Sequence, residues 1–165
     1  LYPEEWENIR DALFDAMTKE VTPIYEPKMN AFLENTVYKY LRPMDEPISL
    51  TDIARRFEPD NPSYLIQSWL RSRNTIEFLG EWERNNNKGF NEEAFQKLLK
   101  DVRSPSYTLT PKRWIETVNA IGLESKRGKN GGTMAHPFIA CDFEMWNDMQ
   151  FRYEVLKYFM SSRIE

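Results

Sequence analysis

The stretch GKNGGTMAHP, Gly128 to Pro137, holds three of the chain's six glycines together with its only histidine. Glycine reaches backbone conformations that side chains forbid. Half of the chain's supply gathered in ten residues therefore marks one of two things. Either a loop wraps closely around an anion, or a β-hairpin turns tightly. The known phosphate patterns do not fit, since GKNGGT lacks the G-x-x-x-x-G-K-[ST] order and no G-x-G-x-x-G occurs. Asn130-Gly131 is a favourable pair for a tight turn.

With 165 residues, the chain has the length of one domain, or of one domain with an appended segment. Its 41% hydrophobic and 14% aromatic content supplies a core and argues against disorder. No apolar run approaches the ~18 residues of a membrane span, and the acidic start LYPEEWENIR has no signal-peptide pattern. The lack of an initiator Met points to a fragment or a trimmed chain. A lone Cys141 cannot form an internal disulfide, which suits a cytoplasmic setting.

The net charge of −4 argues superficially against nucleic acid. Its distribution is more informative. Residues 1–47 carry five Lys/Arg against ten Asp/Glu, a net of −5. Between Thr110 and His136 there are five basic residues (Lys112, Arg113, Lys126, Arg127, Lys129) against Glu116 and Glu124, a net of +3. Local asymmetry of this kind decides partners better than the total does.

Trp6, Ile9, Leu13, Phe14 and Met17 recur at helical spacing and predict an amphipathic helix over about 3–20. TPIYEPKMNAF reads as extended or irregular, and 36–41 as a strand. Ser49 or Thr51 caps a short helix through Phe57, and a second helix begins at Pro62 with Tyr64, Leu65, Trp69 and Leu70 near helical spacing. Residues 75–85 form another helix, 85–89 a solvated loop, and 92–102 an amphipathic helix with Phe95, Leu98 and Leu99 inward. Thr110 and Pro111 mark a helix start, with Gly122 just past its end and an apolar face of Trp114, Ile115, Val118 and Ile121. Strands at about 123–127 and 132–135 follow. Pro137 opens a helix with Phe138, Ile139, Phe143 and Trp146, and Asn147 or Asp148 caps a last one with Phe151, Val155, Leu156 and Phe159. No internal repeat occurs. The fold class is α+β, predominantly helical, with a small sheet.

Catalysis finds little support. His136 is the only imidazole, it precedes a proline, and no nucleophile motif surrounds it, so a capping or structural role is expected. Zinc needs three or four His/Cys ligands and the chain has two such residues. No metal or other cofactor is implied. Binding residues are better marked. Lys112 and Arg113 occupy the first turn of a helix, where the dipole is already positive, an arrangement that suits an incoming phosphate as well as plain solvation. In WLRSRNT, Trp69 and Leu70 face inward and leave Arg71, Arg73 and Asn74 on the other side with Gln67 nearby. Arg, Asn and Gln are the side chains that pair with base edges. Lys126, Arg127, Lys129 and Asn130 flank or form the glycine-rich tip, and a basic hairpin beside a helix-turn-helix is a wing.

From about Ile48 to Phe159 the chain resembles the KilA-N domain, a DNA-binding module of phages, large DNA viruses and prophage-type bacterial genes. The matching pieces are ISLTDIARRF, IQSWLRSRNTIEFLGEWE, LTPKRWIETVNAIGL and GKNGGTMAHPFIACDFEMW. Their order is the specific part: W-L-R-x-x-x-T, then G-G-T-x-x-H-P-x-x-A. The nearest likeness is to bacterial members with a middle helical insertion. Through its G-K-x-x-G-T hairpin the chain is more distantly similar to DNA-binding domains of fungal cell-cycle transcription factors, which resemble winged helices. Met134 departs from the usual aromatic, and Asn147-Asp148 from a small apolar-Ser pair.

The resemblance implies that Gly128, Gly131 and Gly132 turn a β-hairpin wing, with Pro137 opening the helix behind it. It implies an acidic segment at 1–47 and a DNA-binding domain at 48–165 with a helical insertion at about 85–110. The partner implied is double-stranded DNA, in a phage or prophage-type regulator without catalytic activity. Two rival readings stand beside it: a protein-interaction module such as an antirepressor or adaptor, and a nuclease using Asp52, Glu77 or Glu81. The N-terminal helix offers a homodimer or protein contact.

Overall fold

The structure, a computed structural model, describes residues 46–104, 106–128 and 131–161. The N-terminal helix, extended stretch and strand expected before residue 46 lie outside these residues, as do Lys129 and Asn130. The chain divides into two compact units, Asp45–Asp148 and a second that contains the last helix.

The first unit is built on a three-stranded antiparallel sheet of order β1-β3-β2, with β1 at Ile48–Ser49, β2 at Leu123–Lys126 and β3 at Gly132–Ala135. Ile48 pairs with Ala135 on one side of β3, and Leu123 pairs with Ala135 on the other. Among the described residues, this unit holds six helices: α1 Leu50–Phe57, α2 Pro62–Arg71, α3 Arg73–Asn86, α4 Glu92–Asp101, α5 Pro111–Val118 and α6 Pro137–Asn147; α1, α5 and α6 pack against the strands. The helix of the second unit, α7, spans Met149–Ser161.

Helix starts follow the local chemistry. Ser49 accepts the Asp52 N–H at 3.1 Å and caps α1, and Asn91 accepts the Ala94 N–H at 3.0 Å and caps α4. Thr110 caps α5 through the Arg113 N–H, with Pro111 at its first position. His136 caps α6: its Nδ1 accepts the Phe138 N–H at 3.2 Å while its ring lies 4.9 Å from that of Trp82. The single histidine is thus a structural cap, as its place before Pro137 suggested.

Several side chains depart from the expected faces. α5 stops at Val118, and the left-handed residue that ends it is Asn119, at φ 55°, not Gly122. Ile121 therefore leaves the helical register and stands exposed instead of joining Trp114 and Val118 in the core. Tyr64 is exposed on α2, where Ile66 takes the inward position. Leu99 and Phe138 are only half-buried, and Trp146 is exposed at the end of α6. On α7, Phe151 is buried while Leu156 and Phe159 are exposed.

The core centres on two aromatic contacts. Trp69 meets the edge of Phe143 at 5.2 Å and Phe95 meets Trp114 at 6.1 Å. The core also holds a carboxylate, on the same face of α3 as Ile76 and Leu79, although its charge would ordinarily place it in solvent. Glu83, 1% exposed, accepts the N–H groups of Ile121 at 3.1 Å and Gly122 at 2.8 Å, and the Asn87 amide at 2.8 Å. Asn87 in turn donates to the Asn119 carbonyl, and Asn119 to the Gly89 carbonyl. One buried charge thereby joins the end of α3 to the turn after α5. Another, Glu144 on α6, pairs with Arg56 of α1.

Two predictions follow from these contacts. Glu83→Ala strands buried donors and should lower the unfolding free energy by more than about 2 kcal/mol, read by urea titration; Glu83→Gln, which keeps one acceptor oxygen, should cost less. On the surface, Arg84 of α3 donates two bonds at 2.8 Å to the Glu92 carboxylate of α4. The Arg84 guanidinium, helped by Gln96, holds Glu92 down to about 2 from the ordinary 4.5. A depressed acid stabilises the fold above its ordinary value and loses that contribution as pH falls towards the folded value. Exposure keeps the contribution under about 1 kcal/mol. The stability gap between the wild type and Glu92→Gln should be present at neutral pH and close as pH falls from 4.5 towards 2.

Candidate nucleic-acid interface

The hairpin is positioned from its base. The Thr51 hydroxyl on α1 accepts the Thr133 N–H at 3.0 Å, and a side chain at Gly132 would meet that hydroxyl at 2.6 Å. The close approach of helix and strand therefore requires glycine at this position. At the tip, the Gly131 N–H donates to the Gly128 carbonyl at 2.9 Å, and Gly128 has φ 109°, where glycine is the least strained residue. This is the turn that the clustered glycines implied.

α5 packs beside β2, and the two enclose an open cleft of about 750 Å³. Lys112, Ile115 and Glu116 line it from α5, Ala120 and Ile121 from the turn, and Leu123, Glu124, Ser125 and Arg127 from the hairpin. The fold thus brings together two clusters that lie apart in sequence, the first turn of α5 and the basic arm of the hairpin. Lys112 is paired with Glu116 at 3.5 Å and Lys126 with Glu124 at 3.8 Å, all four side chains more than half exposed. Exposed pairs of this kind are worth only ~0.2–1 kcal/mol, so a phosphate can displace the carboxylate from either lysine. Arg127 is exposed at the end of β2.

Arg113 is held differently. Its guanidinium lies 4.7 Å above the Tyr107 ring and donates to the Thr108 carbonyl at 3.2 Å. Burial pushes the Tyr107 phenol above its ordinary value, and the Arg113 charge pulls it partway back. Arg113 therefore presents a fixed cation beside the start of α5 rather than a free one.

Gln67, Arg71, Arg73 and Asn74 do not share a helix face. Ser72, with extended backbone at φ −71° and ψ 126°, breaks the chain between α2 and α3. Arg71 closes one helix and Arg73 opens the next, where it pairs with Glu77 at 2.8 Å. Asn74 is exposed, Gln67 is half-buried, and none of the four lines the cleft. Asp52, Glu77 and Glu81, the carboxylates considered for a nuclease, each pair with an arginine of their own helix, Arg55, Arg73 and Arg84. Among the described residues, no group of three or more His, Cys, Asp or Glu side chains is placed to hold a metal ion, and no helix is long and apolar enough to cross a membrane.

Of the nine cleft residues, the sequence marked Lys112 and Arg127 for binding; Glu116, Glu124 and Ile121 are among those it did not. The glutamates stood out only as charges to be subtracted. Asn119 was the available signal for Ile121, because asparagine tolerates the left-handed conformation that ends a helix.

No curated protein and no solved structure matches the chain. The family model described as the KilA-N domain matches residues 33–163, well over half of the sequence. With its hairpin, its helices and that match in agreement, the chain belongs to the KilA-N domain family, whose domains generally bind DNA.

Proposed function

We propose that this domain binds duplex DNA through α5 and the β2–β3 hairpin, the hairpin acting as a wing, in a regulator of the phage or prophage type. The observation that carries the reading is the shared cleft: Lys112 of α5 and Arg127 of the hairpin line one open surface, with Lys126 adjacent on β2. Lys129 and Asn130 belong to the same tip by sequence. Arg113 would hold a phosphate near the start of α5. Gln67, Arg71, Arg73 and Asn74 form a second contact region at the α2–α3 junction. The regulatory role itself rests on the family resemblance. No catalytic step is assigned.

A second reading, a protein-interaction module, draws support from Glu116 and Glu124 in the same cleft and from the net charge of −4. Salt dependence separates the two. Neutralising roughly four to six phosphates should give a slope of log K against log salt of about −4 to −5. A slope near zero, or no binding at low salt, would favour the protein partner.

Substitutions sort the contacts by type. Lys126→Ala or Arg127→Ala should weaken binding to all sequences alike and flatten the salt slope by about one each. Arg71→Ala or Arg73→Ala, where either meets a guanine edge, should cost about 1–3 kcal/mol and relax specificity at one base pair. Uniform weakening by the latter pair, in competition assays across sequences, would return the reading role to α5.

A further inference from the structure

Ile121 is 56% exposed, although its spacing from Trp114 and Val118 marks it for the core. A single exposed aliphatic side chain is common and carries nothing by itself. Here its backbone is fixed. The Ile121 N–H donates to both carboxylate oxygens of the buried Glu83, at 3.1 Å each, and the next N–H donates at 2.8 Å. The Gly122 carbonyl in turn accepts the His136 N–H at 2.9 Å, tying the next peptide group to the start of α6. A side chain carried on so constrained a backbone is presented in one place, which is what recognition requires.

Its surroundings say what it meets. Ile121 lines the cleft beside the half-buried Ile115, with Lys112 and Arg127 on the same surface. Glu116 and Glu124 also line it. The cations attract phosphates, while the carboxylates repel them from the surface next to the isoleucine. On the DNA-binding reading, a duplex held there by its backbone would offer a base edge, not a phosphate, to the apolar side chain. The major-groove edge offers one apolar group, the C5-methyl of thymine.

We propose that Ile121 reads a thymine methyl group in the bound duplex, an inference that rests on the DNA-binding reading above. The test begins with selection of sites from short duplexes of random sequence, using the whole chain. The recovered site is then resynthesised with deoxyuridine in place of thymidine, which removes only the methyl groups. Wild type should lose about fivefold to tenfold in affinity at one thymine. Ile121→Ala should bind the thymidine site that much more weakly and be indifferent to deoxyuridine, with Ile121→Val intermediate. The salt slope should be equal for all three proteins, since no phosphate contact changes. Equal sensitivity to deoxyuridine in wild type and Ile121→Ala would overturn the inference, as would indifference in both. Salt-dependent binding without any selected site would overturn it too, while leaving the DNA-binding reading intact. Absence of salt-dependent binding would remove both.

Discussion

The Glu83 carboxylate is the contact on which the arrangement of the interface depends. A charge buried to this degree is tolerated only when its oxygens are filled, and Glu83 fills them with the Ile121 and Gly122 N–H groups and the Asn87 amide. Because both N–H groups belong to the turn between α5 and β2, the charge fixes the angle at which the hairpin leaves the helix. The Asn87–Asn119–Gly89 bonds extend the hold to the end of α5 and to the loop before α4. The cleft is as much a product of this internal charge as of the side chains that line it.

Electrostatics on the outer surface work at lower stakes. Lys112 and Lys126 rest on glutamates that are themselves exposed, so each lysine is oriented without being committed. Arg113, stacked on Tyr107, gives up adaptability for position. The acidic excess of residues 1–47 lies elsewhere in sequence, and on the proposed reading the local carboxylates are counterions that a phosphate can replace.

Much of the fold was legible in the sequence, because it is written in local chemistry. Ser49, Thr110 with Pro111, and His136 with Pro137 mark helix starts through hydrogen bonds made within three residues. The glycines around the tip specify the turn without reference to anything distant. What escaped depends on contacts far apart in sequence. β1 is two residues long and exists because Ile48 and Ser49 pair with Ala135 and Met134. The sequence separates a helix from Pro62 and another over 75–85, but serine at 72 is no strong breaker and did not show that the break falls between Arg71 and Arg73, so three candidate base readers were placed on one face that does not exist. Glu83 had the appearance of any solvated helix carboxylate until its distant donors were in place. The cleft was half legible: its cations were evident, and its glutamates and isoleucine were not.

The latch between Thr51 and the base of β3 has a consequence for how such a surface can change over generations. The Thr51 hydroxyl of α1 accepts the Thr133 N–H and leaves no room for a side chain at Gly132, and α1 supplies none of the cleft's lining. The hairpin thus takes its footing from one helix, while the side chains beside it come from another. On the proposed reading, exposed positions along α5 and on the hairpin arm are free to vary while the Thr51 latch keeps the base of β3 in place.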